Sequence, residues 1–181
     1  MIQIELLEPC WVKGSQDDPN DYCAHGKVLF TIDGLVISDG SNEWTVSGAA
    51  LFLLRTVFHS HSNSNPVSES NLLIPCCGFT PYKDSGERFN LLLMGCNWGI
   101  DPQVTHRDKE IVVEYNEDKR IVSVQEWASA IVNFTEQVLA FYDSCSPKTE
   151  ATDKYDKEGW CEFWEELLRN RDRARQIAES T

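Results

Sequence analysis

The chain has 181 residues, 41% of them hydrophobic and 25% charged, with a formal net charge of −13. This length suits one domain, which can bury about 70% of its unfolded surface without help from a disulfide or a metal, and the composition is that of a globular chain, not a disordered one. The acidic balance argues against nucleic acid and anionic membrane as partners, because its field repels phosphate-rich surfaces and attracts basic proteins.

The charge is uneven. Residues 1–147 hold 20 acidic and 9 basic side chains, a balance of −11, whereas residues 148–181 hold 9 and 7, a balance of −2. The acidity therefore belongs to the main body, where it serves either solubility alone or attraction of a basic partner. The longest strictly apolar run, Ala49 to Leu54, is far too short to span a bilayer. The opening MIQIELLEPC lacks a basic region followed by an apolar stretch, so no signal peptide is read. Seven cysteines, two of them adjacent, read as reduced thiols in a cytoplasm.

In chain order, Ile2, Ile4 and Leu6 alternate with polar residues and predict a half-buried strand. Lys13–Asp21, rich in Gly, Ser, Asp and Asn, reads as a mobile surface loop. Asp33-Gly34 between two β-rich runs predicts a hairpin with a two-residue turn. A helix follows, with Ser47 as its expected N-cap and Ala50, Leu51, Leu54, Val57 and Phe58 on its apolar face. Leu72–Phe79 and Phe89–Met94 are nearly all apolar and predict strands covered on both faces, joined by a turn over Lys83–Arg88. Val104–His106, Glu110–Tyr115 and Arg120–Val122 predict three more strands, the last two joined by an acidic turn. Ser123 and Glu126 form a capping box ahead of an apolar stripe of Trp127, Ile131, Phe134, Val138 and Phe141. A last helix is expected over about Asp156–Ala178. Trp160, Phe163, Trp164, Leu167 and Leu168 would line its buried face, and its arginine-rich second half would fray.

The order predicts a single α+β domain over residues 1–181: a twisted antiparallel sheet packed against two to three helices, with 152–181 docked as a C-terminal helix. Its chemical candidates are few. Cys76, Cys77, Cys96, His59, His61 and His106 are the metal-ligating residue types, but none has the paired spacing that converges on one ion. Adjacent strand residues such as Cys76 and Cys77 point to opposite faces, so neither a metal nor a cofactor is expected. Cys76 or Cys77 with His106 would make a thiol dyad, yet no helix start follows to lower the thiol pKa. Phosphate-loop, dinucleotide, nucleophile-elbow and zinc-protease motifs do not occur. Trp98, in a loop between Gly95 and Gly99, reads equally as a binding anchor or a lid over the core. Two acidic clusters flank turns: Asp108 with Glu110, and Glu114 with Glu117 and Asp118.

The stretches WTVSGAALFLLRTV, LLIPCCGF, GCNWGIDPQVTH and EWASAIVNFTEQVLAFYDSCSPK together resemble small acidic bacterial cytoplasmic proteins of uncharacterised activity, some associated with toxin-immunity loci. The resemblance covers about Trp44 to Lys148 and carries no functional residue across. It implies an immunity-like role: direct, stoichiometric binding of a cognate toxin domain, with no chemistry of its own. The reading is thus a cytoplasmic, non-catalytic binder of a basic protein, using Trp98, Asp108, Glu110, Glu114, Glu117 and Asp118. The alternative is a small enzyme acting through the Cys76 or Cys77 thiol with His106.

Overall fold

Apolar–polar alternation at the N-terminus produces β1 (Ile2–Cys10), which places Ile4 in the core. β1 pairs antiparallel with β2 (His25–Ile32), and β2 with β3 (Leu35–Thr45), in the order β1-β2-β3. The β2–β3 turn is the expected Asp33-Gly34, with φ of 44° and 80°. Both central residues are left-handed, which matches the twist of the flanking strands. These coordinates are a computed structural model describing residues 1–14, 16–68, 72–76, 80–84 and 88–180.

The outer edge of β1 is closed by a side chain. Gln137 accepts from Leu6 N–H at 2.9 Å and donates to the Ile4 carbonyl at 3.4 Å. Filling strand-edge hydrogen bonds in this way blunts pairing with other chains. The loop after β1 is tied down. Asp17 accepts from Ser146 N–H at 2.6 Å and pairs with Lys148 at 3.3 Å, while Thr149 N–H donates to Pro19 O at 2.8 Å. The mobile loop expected over Lys13–Asp21 is therefore clipped to the segment after the penultimate helix, a long-range contact that loop composition does not encode.

α1 (Val46–Thr56) is buried at every residue. Its N-cap is Thr45, two residues earlier than the expected Ser47, which lies inside the helix. Thr45 makes no side-chain cap bond, because its hydroxyl donates instead to Cys76 O at 3.2 Å. Ala24 O accepts the first-turn N–H groups of Val46 and Ser47 at 2.9 and 3.4 Å, so the helix start is satisfied by a neighbouring strand end.

Among the described residues of the apolar segment from residue 72, Ile74–Pro75 form the two-residue strand β4, and Cys77, Gly78 and Phe79 lie outside the described residues. Pro75 has no N–H to extend a ladder. The following β5 (Thr80–Lys83) pairs with β6 (Leu91–Met94), so Lys83 belongs to a strand and not to the turn. Leu91 and Leu93 are buried, but Met94 is 62% exposed, so β6 is not covered on both faces as expected. β7 (Gly99–Ile100) pairs with β4. A Cβ on Gly99 would run into the Ile74 carbonyl oxygen, so this close approach needs glycine.

β8 (Gln103–Arg107), β9 (Glu110–Tyr115) and β10 (Asp118–Ser123) form the expected antiparallel meander. The strands do not merge into one sheet. Among the described residues, two three-stranded and two two-stranded sheets are separate, and the far edge of β8 is taken by His61, whose backbone exchanges hydrogen bonds with Val104 at 2.7 and 2.9 Å.

α2 (Val124–Asp143) opens with the predicted capping box. Glu126 N–H donates to Ser123 Oγ at 3.1 Å, and Glu126 accepts from Ser123 N–H at 3.0 Å. These bonds hold the Glu126 carboxyl below its usual range. Trp127, Ile131, Phe134 and Val138 are buried, and the Trp127 indole donates to Thr56 Oγ1 at 3.1 Å. α3 (Lys154–Ala178) begins at an Asp153 cap, two residues before the expected start. Phe163 and Leu167 are buried, but Leu168 is 38% exposed and falls off the buried face. The second half does not fray. Asn170 and Ala174 are buried, and Arg171 and Arg175 both reach Glu136 on α2. Among the described residues, no helix is long and apolar enough to cross a membrane.

Candidate functional site

Trp98 is 63% exposed. It is held from below and behind. Its centroid lies 5.9 Å from that of Trp44, which is 4% exposed on β3. Its carbonyl accepts Cys76 N–H at 2.9 Å and Cys96 Sγ at 3.7 Å. The glycine-dependent β4–β7 contact thus fixes the backbone that presents this indole.

From β7 the chain passes Asp101 into β8, where Gln103 sits opposite Glu114. The β9–β10 turn at Asn116 and Glu117 has φ of 49° and 72°, so both residues adopt the left-handed conformation of a tight hairpin turn. Two adjoining depressions result, sharing Tyr115 and Asn116. One, of about 330 Å³, is bounded by Val36, Asp39, Trp44 and Ile100. The other, of about 200 Å³, is bounded by Asp101, Gln103, Glu114 and Glu117. Asp39 accepts from Ser41 Oγ at 2.5 Å and Ser41 N–H at 2.9 Å, and these bonds keep its carboxyl ionised below the usual range.

The acidic residues singled out in the sequence do not form one patch. Glu114, Glu117 and Asp118 lie at the Trp98 end of the meander, whereas Asp108 and Glu110 lie at the other end of β9. Five strand steps separate Glu110 from Tyr115, roughly 17 Å. Some of the charge is already paired: Glu114 with Lys119 at 2.9 Å, and Asp118 with Arg120 at 3.7 Å. Glu117 has no ion pair among the described residues. Asp39, Trp44 and Tyr115 join this face only through tertiary structure. The exposed Val36, at 52%, is the one local signal, an apolar residue on the outward phase of a strand.

The nucleophile and ligand candidates have other partners. His106 Nε2 donates to Thr56 O at 2.9 Å and so covers the end of α1. Fully buried His61 accepts Val67 N–H on Nδ1 at 3.0 Å, which leaves Nε2–H to donate to Asp101 at 2.8 Å. Both ring nitrogens are committed, as in a structural histidine. Cys77 lies outside the described residues. Burial pushes the Cys10 thiol up to about 11, with Glu43 adding to it, and pushes Cys23 up to about 12 with Asp21. These shifts are opposite to nucleophile activation. Among the described residues, no group of three or more His, Cys, Asp or Glu could hold a metal ion.

Comparison with family models, with curated proteins and with solved structures found no match to this chain.

Proposed function

We propose that the protein is a non-catalytic binding domain for a basic protein partner, engaged at the face of Trp98, Trp44, Asp39, Glu114 and Glu117. One observation carries the reading: a large indole, more than half exposed, is backed by a buried tryptophan and sits beside depressions edged by carboxylates. A rigidly presented aromatic with an acidic rim supplies the two parts of a protein interface, an apolar anchor and a field that steers the approach. A toxin domain neutralised by direct binding is the partner that the sequence resemblance suggests, and a cytoplasm is the compartment that its cysteine usage suggests.

The test is capture of basic proteins from the source cell on immobilised wild-type protein, followed by association and dissociation kinetics with the captured partner. Trp98→Ala should raise the dissociation rate at least about tenfold, as for an anchor worth 1.4 kcal/mol or more. Glu117→Lys should mainly slow association, and wild-type association should slow as salt rises from low to physiological. Association indifferent to salt and to both substitutions would leave this face a solvated surface and sink the reading.

A further inference from the structure

Among the described residues of this acidic chain, a basic concave site stands out. It lies between the turn after α1, the residues leading into β6, and one face of α3. Glu166, Arg169, Asn170 and Arg173 line it from α3 at steps of three, one and three, the spacing of a single helical face. Arg88 and His59 close it from the other side. We propose that this cleft binds a small phosphomonoester, held by the guanidinium groups of Arg88, Arg169 and Arg173.

The charge balance inside the cleft carries this assignment. Its one carboxylate among the described residues, Glu166, is already taken: Arg55 Nε and Nη2 donate to its two oxygens at 2.7 and 3.0 Å, and Asn170 Nδ2 lies 3.4 Å from Oε1. Arg88, Arg169 and Arg173 have no carboxylate partner among the described residues. Three guanidinium groups around one cavity, with no carboxylate partner among the described residues, repel one another, and a dianion relieves that repulsion.

Two of the three groups, Arg88 and Arg173, are also oriented in advance. Arg88 donates through Nη1 to Asn65 Oδ1 at 2.5 Å and Pro66 O at 3.0 Å, and through Nη2 to Ser60 O at 3.1 Å. Its guanidinium carbon sits 5.0 Å from the Phe89 ring centroid. Its Nε–H has no acceptor among the described residues. Arg173 is parked 4.3 Å from the Phe58 centroid. The carbonyls at the end of α1, which would repel an anion, are covered. Arg55 O accepts Phe58 and His59 N–H at 3.2 and 3.0 Å, and Thr56 O accepts His106 Nε2 at 2.9 Å. The local field also acts on the titratable groups of the cleft. Burial first, then Arg88, His106, Arg173 and Arg55, push the His59 imidazole below its ordinary range, and burial and Arg55 lower Arg88.

Size and donor geometry select the ligand class. The cavity is about 150 Å³, well under the roughly 300 Å³ at which sites for drug-sized ligands begin. It has room for a phosphoryl group with a short substituent. Arginine forks match phosphate oxygens with paired N–H groups, and a phosphate dianion has enough oxygens for three such forks.

The cleft shares no lining residue with the protein-binding face, so the two sites can be tested separately. Its test is isothermal titration of the intact chain at constant ionic strength with inorganic phosphate, methyl phosphate and acetate. Methyl phosphate should bind saturably and at least about tenfold more tightly than acetate, a margin of one charge-assisted hydrogen bond or more. Arg169→Gln and Arg173→Gln, at exposed positions, should keep the wild-type melting temperature without ligand and lose about tenfold affinity each. Binding of inorganic phosphate alone would overturn the ester part of the assignment. Equal binding of acetate, no saturation with methyl phosphate, or unchanged affinity in the Arg169→Gln/Arg173→Gln variant would overturn the site.

Discussion

Arg55 sits at 0% exposure in a helix that is otherwise almost wholly apolar. A buried cation survives only when paired and hydrogen-bonded. Arg55 meets both terms through Glu166 and through donation to the Val67 and Leu91 carbonyls at 2.8 Å each. Arg55→Ala should cost about 3–5 kcal/mol in urea melts, because it strands the Glu166 carboxylate. Adding Glu166→Leu to Arg55→Met should recover much of that loss. If the double variant is as unstable as Arg55→Ala, the carbonyl contacts matter more than the ion pair. The tryptophans separate in the same assay. Trp127→Ala removes a fully buried ring with a satisfied N–H and should cost about 3–5 kcal/mol. Trp98→Ala should cost less than about 1 kcal/mol, as for an exposed side chain; a larger loss would make Trp98 structural. Among the thiols, exposed Cys161 should be alkylated by iodoacetamide well before Cys23, whose thiol is pushed up to about 12. Peptide mass spectrometry over time reads the order, and fast labelling of Cys23 would contradict its partial burial and raised pKa.

At the scale of elements, α3 shows how local composition misleads. Its second half looks too charged to be stable, yet Asn170 and Ala174 face the core and Arg171 and Arg175 converge on Glu136 of α2. Its first half is locked to β5. Lys83 pairs with buried Glu162 at 3.0 Å, and a Cβ on Gly159 would collide with the Pro81 carbonyl. Gly159→Ala should therefore destabilise by about 1–3 kcal/mol, despite alanine's better helix propensity. The loss should appear as faster amide exchange along α3 and β5, with α2 unchanged; a stabilised variant would mean that α3 does not approach β5 this closely. The capping box of α2 was legible because both partners lie within four residues. The α1 cap was not, because the groups that satisfy its first turn come from Ala24, far away in sequence.

For the whole molecule, net charge is a poor guide to any one surface. The two acidic clusters stand at opposite ends of β9, farther apart than the roughly 10 Å over which 0.1 M salt screens charge. With a partner docked at Trp98, Glu110→Lys should slow association much less than Glu117→Lys. Equal effects in stopped-flow kinetics would place the interface along the whole meander instead. The basic cleft of Arg88, Arg169 and Arg173 is hidden in the same way, since its members come from two distant segments of an acidic chain.

By itself, the sequence determined the α+β class, the Asp33-Gly34 hairpin, the three-strand meander, the capping box and the buried stripe of α2. Each rests on side-chain period or on bonds between near neighbours, so short stretches encode them. Tertiary structure alone decided which apolar residues stay exposed, as with Trp98 and Met94, and which charges are buried, as with Arg55 and Glu166. It also decided which polar groups share a cavity. Those outcomes depend on contacts between residues tens of positions apart, and no local pattern carries that distance.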